Sequence, residues 1–167
     1  MCRCILYIAG TLPSSIGNLE HLQQLYVDFN NLNGTLPDTL SKLTNLASLS
    51  LQSNHFEGSI PPSLGKLLKL KSLYLDHNRL TGSIPSTLGS LPLNDLTGSN
   101  NLLTGTLPAT LADIVRKGRV VDFSYNDLHG EIPVELCLAR NLFLIANNIT
   151  NNCKEICHDK RYRVRIF

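Results

Sequence analysis

The chain is 167 residues long, 43% hydrophobic but only 6% aromatic, with no Trp and a net charge of +2. Five basic and two acidic residues from Lys154 onward contribute +3 and leave −1 for everything before them, so the body of the chain offers no polycationic footprint for nucleic acid. No apolar run approaches the ~20 residues of a membrane span, and the opening MCRCILYIAG is too short, and lacks the cleavage region, for a secretory signal.

Residues 1–9 stand where a repeat should be but match it incompletely: Ile8 takes the slot that Leu80 holds further on, while Leu6 sits where Asn78 would correspond. An end without the asparagine or a polar cap leaves a first core layer open to water, so a truncated or fragmentary product is expected. From Gly10 the repeat is regular. The tetrapeptide Gly-(Ser/Thr/Glu)-(Leu/Ile)-Pro begins at Gly10, Gly34, Gly58, Gly82, Gly105 and Gly130, recurring about every 24 residues. Asn30, Asn54, Asn78, Asn101, Asn126 and Asn147 keep the same beat. A period of this size means stacked coils that share one long, narrow core. Six of the eight prolines (Pro13, Pro37, Pro61, Pro85, Pro108, Pro133) belong to the repeat and mark no linkers.

Residues 10–82 hold three regular units. Leu64, Leu67, Leu70 and Leu73 recur every third position and then Leu75 follows after two, the spacing of a tight helical turn running into a strand with one buried face. Ile16, Leu19, Leu22, Leu25 and Val27 form the first ladder, and Leu40, Leu43, Leu46, Leu49 and Leu51 form the second. Each asparagine follows its strand where the chain bends, and a buried amide there is expected to serve backbone groups that the bend leaves unpaired. Residues 83–130 are less regular. The fourth unit is one residue short, with Pro92 at the turn and Gly98 where a core leucine belongs, which predicts a gap and a loosened strand. The fifth is one residue long and carries Arg116, Lys117, Gly118 and Arg119 before Val121 and Phe123, which predicts distortion of the convex side with the strand free to keep its register. After Gly130 a shortened unit holds Leu142, Leu144, Asn147 and Ile149, and residues 150–167 read as a C-terminal cap with a solvated basic tail.

The pattern LxxLxxLxLxxNxLxGxIPxxL, present at Leu43–Leu64 and Leu67–Leu88, resembles the plant-type extracellular leucine-rich repeat over residues 10–149. The resemblance implies an α/β fold, a right-handed leucine-rich-repeat superhelix or horseshoe. A parallel β-sheet would line the concave side, short second strands would follow the Gly-x-Ile-Pro turns, and 3₁₀ turns would cover the convex side. It also implies an extracellular or cell-surface location and a non-catalytic recognition role, as in receptor-like ectodomains. Alternatives are a secreted inhibitor of a cell-wall-degrading enzyme, similar to polygalacturonase inhibitors, and a carbohydrate- or polymer-binding protein. The family's N-terminal cysteine cap is missing apart from Cys2 and Cys4, and with no transmembrane or kinase segment signalling is not expected from this chain alone. No cofactor is implied.

Strand parity turns Leu73 and Leu75 inward and Ser72, Tyr74 and Asp76 outward. Carried through every unit, it yields one column of Gln24, Ser48, Ser72, Asp95, Val120 and Asn141, and a second of Tyr26, Ser50, Tyr74, Thr97, Asp122 and Phe143. The third is Asp28, Gln52, Asp76, Ser99, Ser124 and Ile145, with Phe29, His77 and Tyr125 beside it. The aromatics Tyr26, Phe29, Tyr74, Tyr125 and Phe143, set among Asp28, Asp76 and Asp122, point to a protein or peptide partner, a basic one by charge. The competing reading is a soluble face whose aromatics serve strand propensity. Asp76, His77 and Ser50 or Ser53 can be drawn as a hydrolase triad, but parity splits Asp76 from His77 and an open sheet supplies no oxyanion hole. Among five cysteines, Cys137–Cys153 would staple the last unit to the cap, and Cys153–Cys157 is the alternative, since four helical residues rise ~6 Å. A zinc site with His158 lacks a fourth ligand. Two sequons, at Asn33 and Asn148, permit N-glycosylation in an exported chain.

Overall fold

The computed structural model describes residues 7–153. Its strands in chain order are β1 (Ala9–Thr11), β2 (Gln24–Tyr26), β3 (Asn31–Thr35), β4 (Ser48–Ser50), β5 (His55–Ser59), β6 (Ser72–Tyr74) and β7 (Arg79–Gly82). They continue as β8 (Asp95–Thr97), β9 (Leu102–Gly105), β10 (Val120–Asp122), β11 (Asp127–Glu131), β12 (Leu142–Phe143) and β13 (Asn148–Thr150). Even-numbered strands form a six-stranded sheet and odd-numbered strands a seven-stranded one, each in chain order and with parallel pairing. Each full coil therefore contributes one strand to each sheet. Between them lie 3₁₀ turns at Ser14–Asn18, Asp38–Lys42, Pro62–Lys66, Ser86–Ser90, Ala109–Leu111 and Val134–Leu136. The chain is a solenoid. Among the described residues no helix is long and apolar enough to cross a membrane.

The two sheets differ in register. On the six-stranded sheet Leu25 pairs with Leu49 and Leu49 with Leu73, one full repeat at each step, so equivalent side chains stand side by side. On the seven-stranded sheet Asn33 pairs with His55 and Glu57 with Arg79, each two positions short of a full repeat. A stagger on one side only sets each coil at a slant to its neighbour. The seven-stranded sheet also corrects an expectation: its strands carry the repeat glycine and precede the proline, with Gly34 inside β3 and Pro37 beyond it. Gly34, Gly58 and Gly82 take φ of 74°, 72° and 73°, which is why glycine recurs there.

Between the sheets runs the leucine seam. Leu40, Leu43, Leu46, Leu49 and Leu51 are fully buried, as are Leu64, Leu67, Leu70, Leu73 and Leu75. The first ladder is only partly covered: Ile16, Leu22, Leu25 and Val27 are half-buried and Leu19 is 52% exposed, because among the described residues no coil packs on its outer side. The asparagines form the expected ladder. Asn78 Oδ1 accepts the Phe56 N–H of the preceding coil at 3.0 Å, while its Nδ2 donates to the carbonyls of Leu51, Leu75 and Asp76 at 3.0–3.2 Å. Asn54, Asn101, Asn126 and Asn147 do the same, accepting from Leu32, Leu80, Leu103 and Leu128. On the convex side Thr39, Thr87 and Thr110 donate their hydroxyls to the carbonyls of Ser14, Pro62 and Ser86. Opposite those threonines stand Gly17, Gly65 and Gly89, where an added Cβ would lie 2.4–2.6 Å from the threonine.

The irregular units keep their strands in place. β8 pairs with β6 and β10 in register, and the insertion is absorbed on the convex side, where a short helix, α1 (Ala112–Val115), continues from the 3₁₀ turn. Arg119 returns to the fourth unit by donating to the Leu93 carbonyl at 2.8 Å. The gap expected at Gly98 does not exist. The Phe123 ring of the next coil lies 2.7 Å from where a Gly98 Cβ would be, so a large side chain in one coil occupies the space left by a missing one in its neighbour. Cys137 is bonded to Cys153, with Cα atoms 5.3 Å apart, which on the chain-entropy account stabilises the last unit by about 3 kcal/mol. Cys2, Cys4, Cys157, His158 and the basic tail lie outside the described residues.

Restoring the consensus leucine at Gly98 should therefore harm the fold. Gly98→Leu is expected to destabilise by roughly 1–3 kcal/mol in urea denaturation, as overpacking does. Adding Phe123→Leu should recover part of that loss, giving a clear coupling in the double-mutant cycle. Additive effects would show that the two positions do not share one space.

Candidate functional site

The register of the six-stranded sheet aligns the three columns as expected, with Tyr26 beside Ser50, Ser50 beside Tyr74 and Tyr74 beside Thr97, but Ser50 and Ser124 are buried and do not stand exposed. Six strands ~4.8 Å apart give a face about 24 Å long. It carries four carboxylates, Asp28, Asp76, Asp95 and Asp122, and no Lys or Arg in any column. Among its aromatics Tyr26 is 56% exposed, whereas Tyr74 and Phe143 are half-buried rather than standing free.

The carboxylates are not equivalent. Asp76 is engaged by the next coil: Oδ1 accepts the Ser99 N–H at 2.9 Å and the Ser99 hydroxyl at 3.0 Å, and Oδ2 accepts the Thr97 hydroxyl. Asp122 Oδ1 accepts the Ser124 N–H at 2.9 Å, and Asp95 faces the Tyr74 hydroxyl across a long 3.4 Å. The Asp28 carboxylate has no hydrogen bond among the described residues. Asp76 thus serves the architecture, a role that column parity alone does not reveal. His77 is exposed and joins no relay: among the described residues no hydrogen bond links it to Asp76, Ser50 or Ser53.

Tyr26, Asp28, Ser50, Gln52 and Tyr74 converge on a recess of about 270 Å³. Ser50 forms its floor and is only 4% exposed, a small residue between two tyrosines of the same column. A larger hollow of about 430 Å³ lies between the Gly-x-Ile-Pro turns, walled by residues such as Pro62, Ile84, Thr87 and Pro108. That hollow has no charged or aromatic wall, so the concave recess is the better-equipped site. Of the other sequence-derived candidates, Asp122 and Tyr125 belong to the coil of β10, two strands beyond Tyr74 and roughly 10 Å along the sheet from it.

Phe29, His77 and Tyr125 share an unforeseen feature. They stand at φ of 54°, 53° and 57°, as do Ser53, Asn100 and Ala146 in the remaining coils, each just before the ladder asparagine. The bend requires a left-handed residue there, a conformation costing about 1–2 kcal/mol for a side chain with a Cβ. Bulky aromatics are poor choices for such a position on conformational grounds. Phe29 and Tyr125 are nonetheless 62% and 54% exposed, forming a rim beside the columns. Asn33 and Asn148 are both exposed on the other sheet, at β3 and β13.

Residues 20–80 match the leucine rich repeat family model. The chain is a leucine-rich-repeat protein. No curated protein matches its sequence. Among solved structures it is similar to the plant peptide hormone receptor RGFR1, solved in complex with RGF2, at 37% identity and a TM-score of 0.81, over 86% of this chain and 23% of that one. The Arabidopsis receptor kinase HAESA ectodomain, solved with an IDA peptide hormone ligand, is 32% identical with a TM-score of 0.79, over 86% and 24%. A plant ice-binding protein is 32% identical with a TM-score of 0.78, over 86% and 49%. The chain thus spans about a quarter of the two receptor ectodomains.

The two aspartates separate structure from surface. Asp76→Ala should cost roughly 1–3 kcal/mol in urea denaturation because it strands the Ser99 amide, whereas Asp28→Ala should stay within about 0.5 kcal/mol of wild type. Equal effects would show that Asp76 does not brace the sheet.

Proposed function

We propose that the six-stranded face is a non-catalytic recognition surface for an extended, basic peptide or peptide segment. The observation that carries this reading is the charge of the face, four carboxylates and no cation among its columns, beside partly exposed aromatics of the kind that anchor interfaces. A face of about 24 Å accommodates about seven residues of extended chain. The peptide-bound receptors RGFR1 and HAESA share this fold, which is in keeping with a peptide partner. The Cys137–Cys153 bond suits an oxidising compartment, in keeping with an extracellular or cell-surface setting. Glycans on Asn33 and Asn148 would sit on the seven-stranded sheet and leave the recognition face open.

An array of defined basic, neutral and acidic nonapeptides tests this reading. Basic peptides are expected to be retained selectively, to weaken as salt screens the face, and to lose at least tenfold in affinity on the double substitution Asp28→Lys and Asp95→Lys. Retention that ignores peptide charge, or that survives the double substitution, would contradict it. So would an array that retains nothing while a glucan or pectin oligosaccharide binds the same face.

A further inference from the structure

We infer that the recess between Tyr26 and Tyr74 is a subsite for an arginine side chain of the bound peptide; this rests on the peptide-recognition reading above. Tyr26, Ser50 and Tyr74 occupy one column on three successive strands, so the tyrosines are two steps, or about 9.6 Å, apart at their backbones. A flat group touching both rings needs them about 7–8 Å apart, a separation that side chains rooted about 9.6 Å apart reach by leaning slightly toward each other, so a planar guanidinium can be held between them. The slot exists because the middle residue is Ser50. A tyrosine there, like its column neighbours, would close it.

The polar groups match the same ligand. The Asp28 carboxylate stands at one end of the recess without a hydrogen-bond partner among the described residues, although the other carboxylates of the face have one. Ser50 is 4% exposed, lines the floor, and its hydroxyl also lacks a partner among the described residues. Gln52 lines the recess too, and its side-chain amide carries an oxygen that can accept. A guanidinium presents five N–H donors in a rigid plane and stacks on aromatic faces, so it answers a carboxylate, a hydroxyl, an amide oxygen and two rings together. An ammonium is a compact point charge that does not stack, and a neutral sugar brings no positive charge to Asp28.

The probe is the pentapeptide acetyl-Gly-Gly-Arg-Gly-Gly-amide, compared with the same peptide carrying citrulline, which keeps the shape and removes the charge. Titration is followed on the backbone amides of Ser50 and Gln52 by NMR. Saturable shifts are expected with arginine, at least tenfold weaker binding with citrulline, and about a tenfold loss for Tyr26→Ala and for Asp28→Asn. Ser50→Tyr should abolish the response with an unchanged circular dichroism spectrum, since it places on the strand the residue that positions 26 and 74 already hold. Equal binding of citrulline, or an undiminished response in Ser50→Tyr, would overturn the inference. Basic nonapeptides that bind the face without shifting these amides would sink the subsite and leave the recognition reading standing. A failure of every peptide would sink both, and shifts produced by cellohexaose alone would make the recess a sugar site instead.

Discussion

The bend that follows each strand of the six-stranded sheet leaves backbone donors and acceptors inside the protein, and the asparagine ladder is what satisfies them. One side-chain amide has two donors and one doubly accepting oxygen, enough to serve a preceding coil's N–H and, through shared bonds, three carbonyls. Asn78 does so across two coils, and its copies repeat the arrangement from Asn54 to Asn147. Each link binds one coil to the last, so the ladder sets the direction of stacking as well as the shape of the bend. Its cost is the left-handed residue that precedes every rung.

Because bends, seam and convex turns take up the polar and apolar demands of folding, the outward side of the six-stranded sheet carries few of them. Threonine over glycine on the convex side closes the distance between turns, with Thr39 over Gly17, Thr87 over Gly65 and Thr110 over Gly89. Ser41 and Ser63 hold the corresponding places in the remaining regular pair, where neither side chain is branched. What is left on the concave side is a charged, partly aromatic strip in which most carboxylates are already spoken for and Asp28, among the described residues, is not. Selective engagement of that kind leaves the unpaired carboxylate in one recess rather than across the whole strip.

Most of this architecture was legible in the sequence because it is periodic. Leucines at every third and then every second position, and an asparagine after each strand, encode local geometry that recurs, and the column register follows from parity. Three features were not legible for a common reason: each depends on a residue in a neighbouring coil. Phe123 fills the place of Gly98 from the next coil, and Asp76 likewise braces Thr97 and Ser99 across a coil boundary. The recess at Ser50 is a consequence of what lies on either side of it in space. Parity places a side chain on a face but says nothing about whether the next coil has claimed it. The left-handed rim at Phe29, His77 and Tyr125 was hidden differently, since aromatic residues signal strand and not a bend.

The asparagine amides hold the coils together by serving buried backbone groups, and Asn78→Ala tests this directly. Chemical denaturation combined with amide hydrogen exchange should show a loss of roughly 1–3 kcal/mol together with faster exchange at the Phe56 N–H, the donor left without its acceptor. Unchanged stability with a Phe56 amide still protected as in the wild type would contradict the account.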